Sequence, residues 1–494
     1  MMEKKRLFVS HAEEAKWEGL QENRFLADEP GVQQIKNGIV LPLKRRDDIT
    51  QTADGIFKGG VCTETFVFVA GLQRDNNKDG VNLSCCQGYI VAEDELDGRH
   101  ETVVFGGVLQ WHFGNMLVNT TTRLWWYTEH QDTPYTFVFI HDEEREPCEY
   151  REFFELLGLP SDRIEIIHRP TKFDNVIVPE EACYIISQAH PKWLQVFELM
   201  KNHVRQQLPK SNLEKIYLSR TLFNRDGNKD EFNEEYYENF YKKRGFAVIH
   251  PETLPLREQI NLIMYAREIV CIIGTLSHMA LFAENRIKLV CLLRRPTFLP
   301  HQALINELKK LDWYWIEASK NPLPIPHDKG VVIYYPTKYF KNYLDCGQEP
   351  YQEGEVPIEI PPESMIMAFL ESWAQRFSDT EYYWRIKDKP VFDFVDALAN
   401  MFFDKELDKS LYPATKNEIK IAKQKESIEK QRERIEKQRE RIEKQKERIE
   451  KQKERIEKQE SEIKRLRNEI IDMKNSNSWK LTKPLRFLNR KLFK

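Results

Sequence analysis

An isoleucine recurs at every seventh position through the C-terminal part of this 494-residue chain. The repeat reads Ile-Glu-Lys-Gln-(Arg/Lys)-Glu-Arg, and its isoleucines lie at positions 421, 428, 435, 442, 449, 456, 463 and 470. A straight α-helix drifts by about 20° per heptad against such a pattern, so a sustained period of seven implies a left-handed supercoil with a partner helix. The pattern predicts a coiled-coil helix over residues 416–474, with residues 421–473 forming a dimer or a trimer.

The seam of this helix is only partly apolar. With isoleucine at heptad position a, glutamine fills most d positions until Leu466 and Met473. Such a seam gives only weak association between helices. The near-identity of the repeat units can also arise from tandem duplication, which copies every position whether or not it matters. A solvated single helix is therefore the alternative to the oligomer. We expect the isolated segment to be helical but only weakly associated.

The last segment, residues 475–494, interleaves basic residues with aromatic and aliphatic ones. Its apolar members are Trp479, Leu481, Leu485, Phe487, Leu488, Leu492 and Phe493, and its basic members are Lys480, Lys483, Arg486, Arg490, Lys491 and Lys494. This composition is typical of an interfacial anchor, in which each basic residue near an anionic leaflet contributes about 1 kcal/mol. We expect residues 479–494 to bind a membrane surface; the alternative is a tail that packs on its own protein.

The rest of the chain has the composition of a soluble body. Residues 1–17 carry basic residues without the apolar run of a secretory signal, and no stretch approaches the ~18 apolar residues of a membrane span. The eight cysteines form no CxxC pair, which predicts reduced thiols, and a net charge of −3 is unlike a uniformly basic nucleic-acid binder. We expect a cytoplasmic protein, peripheral on the inner face of the cell membrane, without a nucleic-acid partner.

Two series of strand and helix patterns follow one another in this body. The first predicts strands at 38–42, 65–70, 88–91 and 102–105, a helix at 115–126, a strand at 136–140, a helix at 149–157 and a strand at 164–167. The second predicts strands at 216–219, 246–249, 269–273 and 288–293, alternating with helices at 233–244, 255–266 and 279–284. Residues 320–362 read as an irregular connection, 365–377 as a helix, and 380–412 as an aromatic-rich segment that packs on the body.

Two successive βα series predict an α/β fold with two Rossmann-like domains facing each other across a cleft, a common place for ligands. Since a single core rarely exceeds roughly 250 to 300 residues, two cores also suit the length of the chain. We place the first domain at residues 1–200 and the second at 201–345. A helical and irregular segment at 346–415 then packs back on the body.

Common phosphate, hydrolase and metal motifs are missing: there is no GxGxxG, Walker loop, GxSxG, HExxH or convincing DxD in the sequence. A divalent metal is therefore not demanded. Two groups of residues remain as candidates. In the first, His112 precedes a predicted helix on which Asn115 and Asn119 share a face one turn apart. His112 could be a general base or bind an anion; the alternative is a structural histidine.

The second group lies at the ends of two predicted parallel strands. Ser219 and Arg220 end one strand, with Arg225 nearby, and a Gly274 loop ends another and opens a helix. That loop contains Thr275, Ser277 and His278. An arginine and a helix N-terminus that converge at the carboxyl ends of parallel strands suit a diphosphate, because both supply preorganised donors.

The stretch from about residue 106 to 293 resembles glycosyltransferase family 61, of the bacterial surface-polysaccharide type. The resembling pieces, in order, are the His-Phe-Gly-Asn run from His112, Arg123-Leu-Trp125, the segment from Arg151 to Gly158, Val178-Pro-Glu180, Ile216-Tyr-Leu-Ser-Arg220, Asn233-Glu234, Gly245-Phe246, His250-Pro-Glu252 and the Gly274 loop before Phe282. The resemblance implies a GT-B architecture, with an acceptor-side first domain that includes Arg123 and a second domain that binds the donor nucleotide.

The resemblance further implies transfer of a sugar from a nucleotide-sugar donor to a glycan or lipid-linked acceptor, with inversion by direct displacement. Many relatives carry a histidine and an acidic residue where this chain has Asn115 and Asn119. Because an amide cannot take the acceptor proton, we expect His112, and after it His278, to act as the base. The competing interpretation is a glycosyltransferase-like scaffold without catalysis, which oligomerises through its coiled coil in a membrane-associated synthesis complex.

Overall fold

A computed structural model describes residues 6–10, 14, 17, 28–45, 57–69, 85–141, 147, 150–184, 188–225, 231–294, 299–323, 331–357, 360–377, 458–475 and 482. By its contacts the chain forms two compact units: Met1–Arg376 with Val395–Glu406, and Phe377–Phe394 with Leu407–Lys494. Every sheet in the described residues lies in the first unit. The predictions for residues 380–412, for the heptads before residue 458 and for most of the basic tail lie outside the described residues.

The first unit is mixed α/β, as predicted. Its strands are, in chain order, β1 (Leu7–Phe8), β2 (Val32–Lys36), β3 (Ile39–Arg45), β4 (Phe57–Cys62), β5 (Cys85–Gln87), β6 (Asp97–Val108), β7 (Thr136–Ile140), β8 (Ile164–Ile166), β9 (Thr171–Pro179), β10 (Cys183–Tyr184), β11 (Gln188–Ala189), β12 (Lys215–Leu218), β13 (Glu231–Phe232), β14 (Ala247–Ile249), β15 (Glu268–Ile272), β16 (Lys288–Leu293), β17 (Asp312–Glu317) and β18 (Val332–Ile333). Its α-helices are α1 (Phe113–Val118), α2 (Trp125–Glu129), α3 (Arg151–Leu157), α4 (Lys192–Gln207), α5 (Thr221–Arg225), α6 (Glu234–Lys242), α7 (Leu256–Tyr265), α8 (Thr275–His278), α9 (Pro300–Leu308), α10 (Lys338–Asp345) and α11 (Glu363–Phe377).

The first sheet is mixed and has eight strands in the order β5-β4-β3-β9-β6-β7-β8, with β2 also paired to β9. Strand β6 lies at its centre, parallel to both β7 and β9. The strand predicted at 65–70 is wrong, because Phe66 has a positive φ of 61° and only an isolated bridge joins Phe68 to Cys62. The strand predicted at 88–91 is also wrong; the paired residues there are Cys85–Gln87.

The helix predicted at 115–126 is broken into α1, a 3-10 turn over Thr120–Arg123, and α2. Three consecutive threonines explain the break. The Thr121 hydroxyl donates to the Leu117 carbonyl at 2.6 Å, and the Thr122 hydroxyl donates to the Asn119 carbonyl at 2.7 Å. Such local side-chain bonds compete with helical hydrogen bonding. Thr120 ties the turn to the first sheet by donating to the Val108 carbonyl at 2.9 Å.

The second sheet has six strands, all parallel, in the order β1-β17-β16-β15-β12-β14. Its central strand β15 is buried along its whole length, as expected when helices cover both faces of a parallel sheet. The predicted strands at 216–219, 246–249, 269–273 and 288–293 match β12, β14, β15 and β16 within a residue. The edge strand β1 comes from the N-terminus and pairs Leu7 with Trp315.

One hydrophobic cluster joins side chains from both sheets. Helix α4 contributes Trp193, Phe197 and Met200 to it, and the Phe197 ring meets the Phe282 ring edge to face at 5.2 Å. The same cluster contains Phe139 of the first sheet. The two sheets therefore share one apolar core. The domain boundary at residue 200 stays a prediction.

The interpretation of residues 320–362 as an irregular connection is incomplete. It contains α10, whose N-cap Thr337 accepts a hydrogen bond from the Phe340 amide at 3.1 Å, and β18, which pairs with β13. Helix α11 matches the predicted helix at 365–377. In the second unit, residues 458–475 are helical. Across the part of the chain that the structure describes, no helix has both the length and the apolar character of a membrane span.

Candidate active site

Three residues lie at the carboxyl edge of the second sheet, where the neighbouring strands β16, β15 and β12 end. Arg294 follows β16, Gly274 follows β15 and Arg220 follows β12. A Cβ atom on Gly274 would lie only 3.8 Å from Arg294 Nη2, so the guanidinium group stands beside the Gly274 backbone. This edge is where open α/β sheets usually bind ligands.

The two arginines share one carboxylate. Glu231 Oε1 lies 3.2 Å from Arg220 Nη2 and 3.4 Å from Arg294 Nη1, and the Glu231 side chain is only 1% exposed. Its other oxygen accepts a hydrogen bond from the Tyr334 hydroxyl at 3.0 Å. Glu231 thus holds two guanidinium groups side by side while supplying a single negative charge to them.

A second carboxyl group, that of Glu234, contacts the backbone of Arg220. It accepts hydrogen bonds from the Arg220 amide at 2.9 Å and from the Tyr217 hydroxyl at 3.3 Å. Burial raises the pKa of Glu234 to about 8; the Arg220 amide opposes the shift and the charge of Glu231 adds to it. Glu234 is therefore mainly protonated at neutral pH and offsets little of the arginine charge.

The other predicted residues around Arg220 have structural partners. Ser219 is fully buried and donates to Glu238 Oε2 at 2.9 Å, as does the Thr221 hydroxyl. Glu252 accepts a hydrogen bond from the Phe223 amide at 2.9 Å and so fixes the segment after Arg220. Arg225 ends helix α5, but its side chain lies outside the described residues.

The Gly274 loop is closed by Ser277. The Ser277 hydroxyl donates to the Gly274 carbonyl at 2.8 Å and lies 3.2 Å from the Gly274 amide. Gly274 has φ 135° and ψ −142°, a backbone conformation that residues other than glycine rarely adopt. Ser277 therefore shapes the loop from a buried position, while Gly274 and Thr275 remain partly accessible.

The first sheet's side of the site reaches this loop through the start of helix α1. A Cβ atom on Gly114 would lie 2.5 Å from Thr275 Oγ1 and 3.1 Å from the His112 ring. His112 is the N-cap residue of α1 and is exposed. The structure thus brings His112 and Thr275, two residues predicted from separate parts of the sequence, to the same place.

His278 is enclosed and hydrogen-bonded. Its Nδ1 lies 3.0 Å from Gln302 Oε1, and Gln302 donates in turn to Asn306 Oδ1 at 2.9 Å. The His301 ring stacks on the His278 ring at 5.7 Å. Burial lowers the pKa of His278 to about 4; the Gln302 hydrogen bond opposes the shift and the charge of His112 adds to it. The imidazole is therefore neutral at physiological pH.

The remaining predicted residues lie on the first-sheet side. Asn115 is half-buried in α1, and its carbonyl accepts from the Asn119 amide at 2.7 Å, which places Asn119 at the end of that short helix. Arg123 is buried, pairs with Glu181 Oε1 at 3.1 Å and also donates to the Pro179 carbonyl. These contacts anchor Arg123 within the protein framework.

Arg294, Glu231 and Gln302 were not identified from the sequence. Arg294 could have been identified from the sequence, because it directly follows a predicted strand, as Arg220 does. No sequence pattern identifies Glu231 or Gln302, since each gains its role from partners far away in sequence. Within the described residues, no group of three or more His, Cys, Asp or Glu side chains is placed to hold a metal ion.

The comparison with curated proteins gives no match. Residues 113–290 match the family model described as Glycosyltransferase 61, a region that contains Arg220, the Gly274 loop and His278, and this match supports a glycosyltransferase.

Proposed function

We propose that this protein is an inverting glycosyltransferase that moves a sugar from a nucleotide-sugar donor to a glycan or lipid-linked acceptor in surface polysaccharide synthesis. The observation that carries the proposal is the pairing of Arg220 and Arg294 on Glu231, with Arg294 beside Gly274, at the carboxyl edge of a parallel sheet. The family match over residues 113–290 supports the same reaction class.

The charge balance at this edge favours an anionic ligand. Two guanidinium groups face the single carboxylate of Glu231, and Glu234 is mainly protonated because its pKa is raised to about 8. The donor diphosphate would bind to these guanidinium groups. As the bond from the anomeric carbon to the diphosphate oxygen breaks, negative charge accumulates on the leaving group, and preorganised cations stabilise it.

The acceptor reacts on the side of His112. The acceptor hydroxyl oxygen forms the new bond to the anomeric carbon and gives its proton to a base. His112 is exposed and close to the Gly274 loop, whereas His278 is buried with a pKa lowered to about 4, which makes it a weak base. We assign the base to His112 and give His278 a supporting role under the loop.

The proposal also covers where the protein acts and whether it self-associates. The interleaved basic and apolar residues at 479–494 favour binding to the inner face of the cell membrane, and the heptads at 421–473 favour self-association. Membrane binding would bring the enzyme close to lipid-linked acceptors, and self-association would bring several copies to the same place.

Binding of nucleoside diphosphates tests the donor site directly. Ligands that bind the folded protein raise its thermal midpoint, so a panel of nucleoside diphosphates should give a shift for at least one base. Arg220→Ala or Arg294→Ala should each weaken binding roughly tenfold to 100-fold, since a hydrogen bond to a charged group contributes about 1.5–3 kcal/mol. Arg267→Ala is the matched control: Arg267 precedes the same central strand at its opposite end and is 79% exposed.

Turnover separates the enzyme from the inactive scaffold. The full chain should transfer or hydrolyse at least one nucleotide sugar, and His112→Ala should lower kcat while leaving diphosphate binding intact. If diphosphates bind but no donor sugar is turned over, the scaffold is the correct alternative. A chain lacking residues 416–494 should keep soluble activity if the protein is an enzyme. If no diphosphate binds at all, the proposed donor site is wrong.

A further inference from the structure

An exposed apolar stripe runs along the helix at residues 458–475. The apolar residues of this stripe are separated by three, four and three residues, as the a and d positions of two consecutive heptads are. They are, with their exposed fractions, Ile463 (49%), Leu466 (44%), Ile470 (46%) and Met473 (56%). Upstream heptads have glutamine at position d, so these two heptads contain leucine and methionine where the repeat has glutamine.

We propose that this stripe binds the same stripe of a second copy of the chain, in a parallel, in-register, two-stranded coiled coil restricted to about residues 462–474. The inference refines the self-association proposed above and does not depend on glycosyltransferase activity. Isoleucine at both a positions with leucine at the first d position favours two strands over three.

The charges beside the stripe select the parallel orientation. In a parallel pair, position g of one heptad faces position e of the next heptad of the partner. Glu462 then faces Arg467 of the second copy, and Glu469 faces Lys474, so both contacts are attractive. In an antiparallel pair, g faces g and e faces e, which would bring glutamates together and basic residues together. Glu462 and Glu469 flank Arg465 along their own helix, at 2.9 and 3.5 Å.

The upstream repeats lack this complementarity. In a parallel register three of their g and e pairs bring basic residues together: Arg434 with Arg439, Arg441 with Lys446, and Arg448 with Lys453. The heptad directly before the stripe differs, because its Arg455 faces Glu460 of the second copy. Like charges at these positions oppose pairing, and glutamine at d adds no apolar contact. The association therefore depends on the last two heptads, although the isoleucine repeat is much longer.

Two adjacent isoleucines give a matched test in the full chain. Ile470 is on the stripe and Ile471 is next to it on the neighbouring face, and their exposed fractions, 46% and 53%, are similar. In sedimentation equilibrium the wild-type chain should reach twice its 58.9 kDa mass. Ile470→Asn should weaken the dimer at least tenfold, whereas Ile471→Asn should leave it unchanged. A monomeric wild type, a trimer, or equal effects of the two substitutions would overturn the proposal.

Charge exchange tests the register. Glu462→Lys with Glu469→Lys in one chain should prevent self-association, as should Arg467→Glu with Lys474→Glu in another. Mixing the two chains should restore a dimer, because every e and g contact is again between opposite charges. Failure of the mixture to associate better than either variant alone contradicts the parallel pairing.

Cross-linking tests the orientation independently. Met473→Cys places a thiol on the seam near its end, where only a parallel, in-register partner brings its own residue 473 close enough for a disulfide. Oxidation should give a covalent dimer for this variant. Ile471→Cys and the wild-type chain, which has its own eight cysteines, are the controls and should remain uncrosslinked. Equal cross-linking of the Ile471→Cys and Met473→Cys chains excludes the proposed seam.

Discussion

Gly114 lies against the side chain of Thr275, so closely that a Cβ atom on Gly114 would be 2.5 Å from Thr275 Oγ1. Helix α1 follows the central strand of the first sheet, and Thr275 belongs to the loop that ends a strand of the second. The close approach joins the two sides of the candidate active site and sets the place of His112 beside the Gly274 loop.

Gly114→Ala should disturb this approach. We expect a loss of about 1–3 kcal/mol in the free energy of unfolding, the usual range for overpacking, together with a lower kcat because His112 moves relative to the loop. Thermal unfolding and initial rates measure the two effects. Adding Thr275→Ala should recover part of the stability, since it removes the atom that the new methyl group meets.

Gly98→Ala provides the control, because a Cβ atom there meets nothing within 4 Å. It should leave both measurements close to those of the wild-type chain. If Gly114→Ala behaves in the same way, the two sides of the site are not held by this contact.

Glu152 caps a helix that is distant in sequence. Its carboxylate accepts hydrogen bonds from the Leu256 amide at 3.0 Å and the Arg257 amide at 3.3 Å, at the start of α7. Pro255, the N-cap residue, provides no side-chain hydrogen bond. We expect Glu152→Ala to lower the free energy of unfolding by about 1 kcal/mol, as the loss of an N-cap does. Glu155 is exposed and lies on α3 together with Glu152, so Glu155→Ala should change the free energy of unfolding by less than about 0.5 kcal/mol.

Local patterns predicted four of the six strands of the second sheet, β12, β14, β15 and β16, because these strands are short apolar runs bounded by turn residues. The Gly245 turn, with φ 81°, and the Gly274 loop were visible in the sequence for the same reason. Strands β1 and β17 were missed. The two residues of β1 carry no pattern and gain their structure only by pairing with β17. The first sheet was less predictable, because Phe66 turns where β-propensity predicts a strand.

The candidate site was predictable only in part. Arg220 and the Gly274 loop follow from the rule that ligands bind at the carboxyl ends of parallel strands, and the same rule applied to Arg294 would have found it. The role of Ser219 could not be read from its position, because its hydroxyl turns inward to Glu238. Glu231 becomes recognisable only when Arg220 and Arg294 are seen on either side of it.

Gly274→Ala tests the backbone of the loop. At φ 135° and ψ −142° an alanine is strained, although its Cβ would meet Arg294 only at an ordinary contact distance of 3.8 Å. We expect a loss of about 1–3 kcal/mol in stability, or a loop that relaxes and loses diphosphate binding. Thermal unfolding with and without a nucleoside diphosphate distinguishes these effects. Gly245→Ala also replaces a glycine of positive φ but lies away from the loop, so it should lower stability without changing diphosphate binding.

Glu234 gives the fold a dependence on pH whose sign is fixed by its raised pKa. Burial raises this pKa from 4.5 to about 8, so between these values the folded protein keeps a proton that the unfolded chain has released. The free energy of unfolding therefore falls as pH rises through this range. Glu234→Gln keeps an oxygen that can accept from the Arg220 amide and cannot ionise.

The thermal midpoint of Glu234→Gln relative to the wild-type chain should therefore be higher at pH 8.5 than at pH 6. Differential scanning calorimetry at several pH values measures this difference directly. Glu235→Gln changes the adjacent, exposed glutamate and should show no such trend. A difference for Glu234→Gln that stays constant from pH 6 to pH 8.5 would mean that Glu234 is ionised beneath Arg220, and the positive charge available to a diphosphate would then be smaller than proposed.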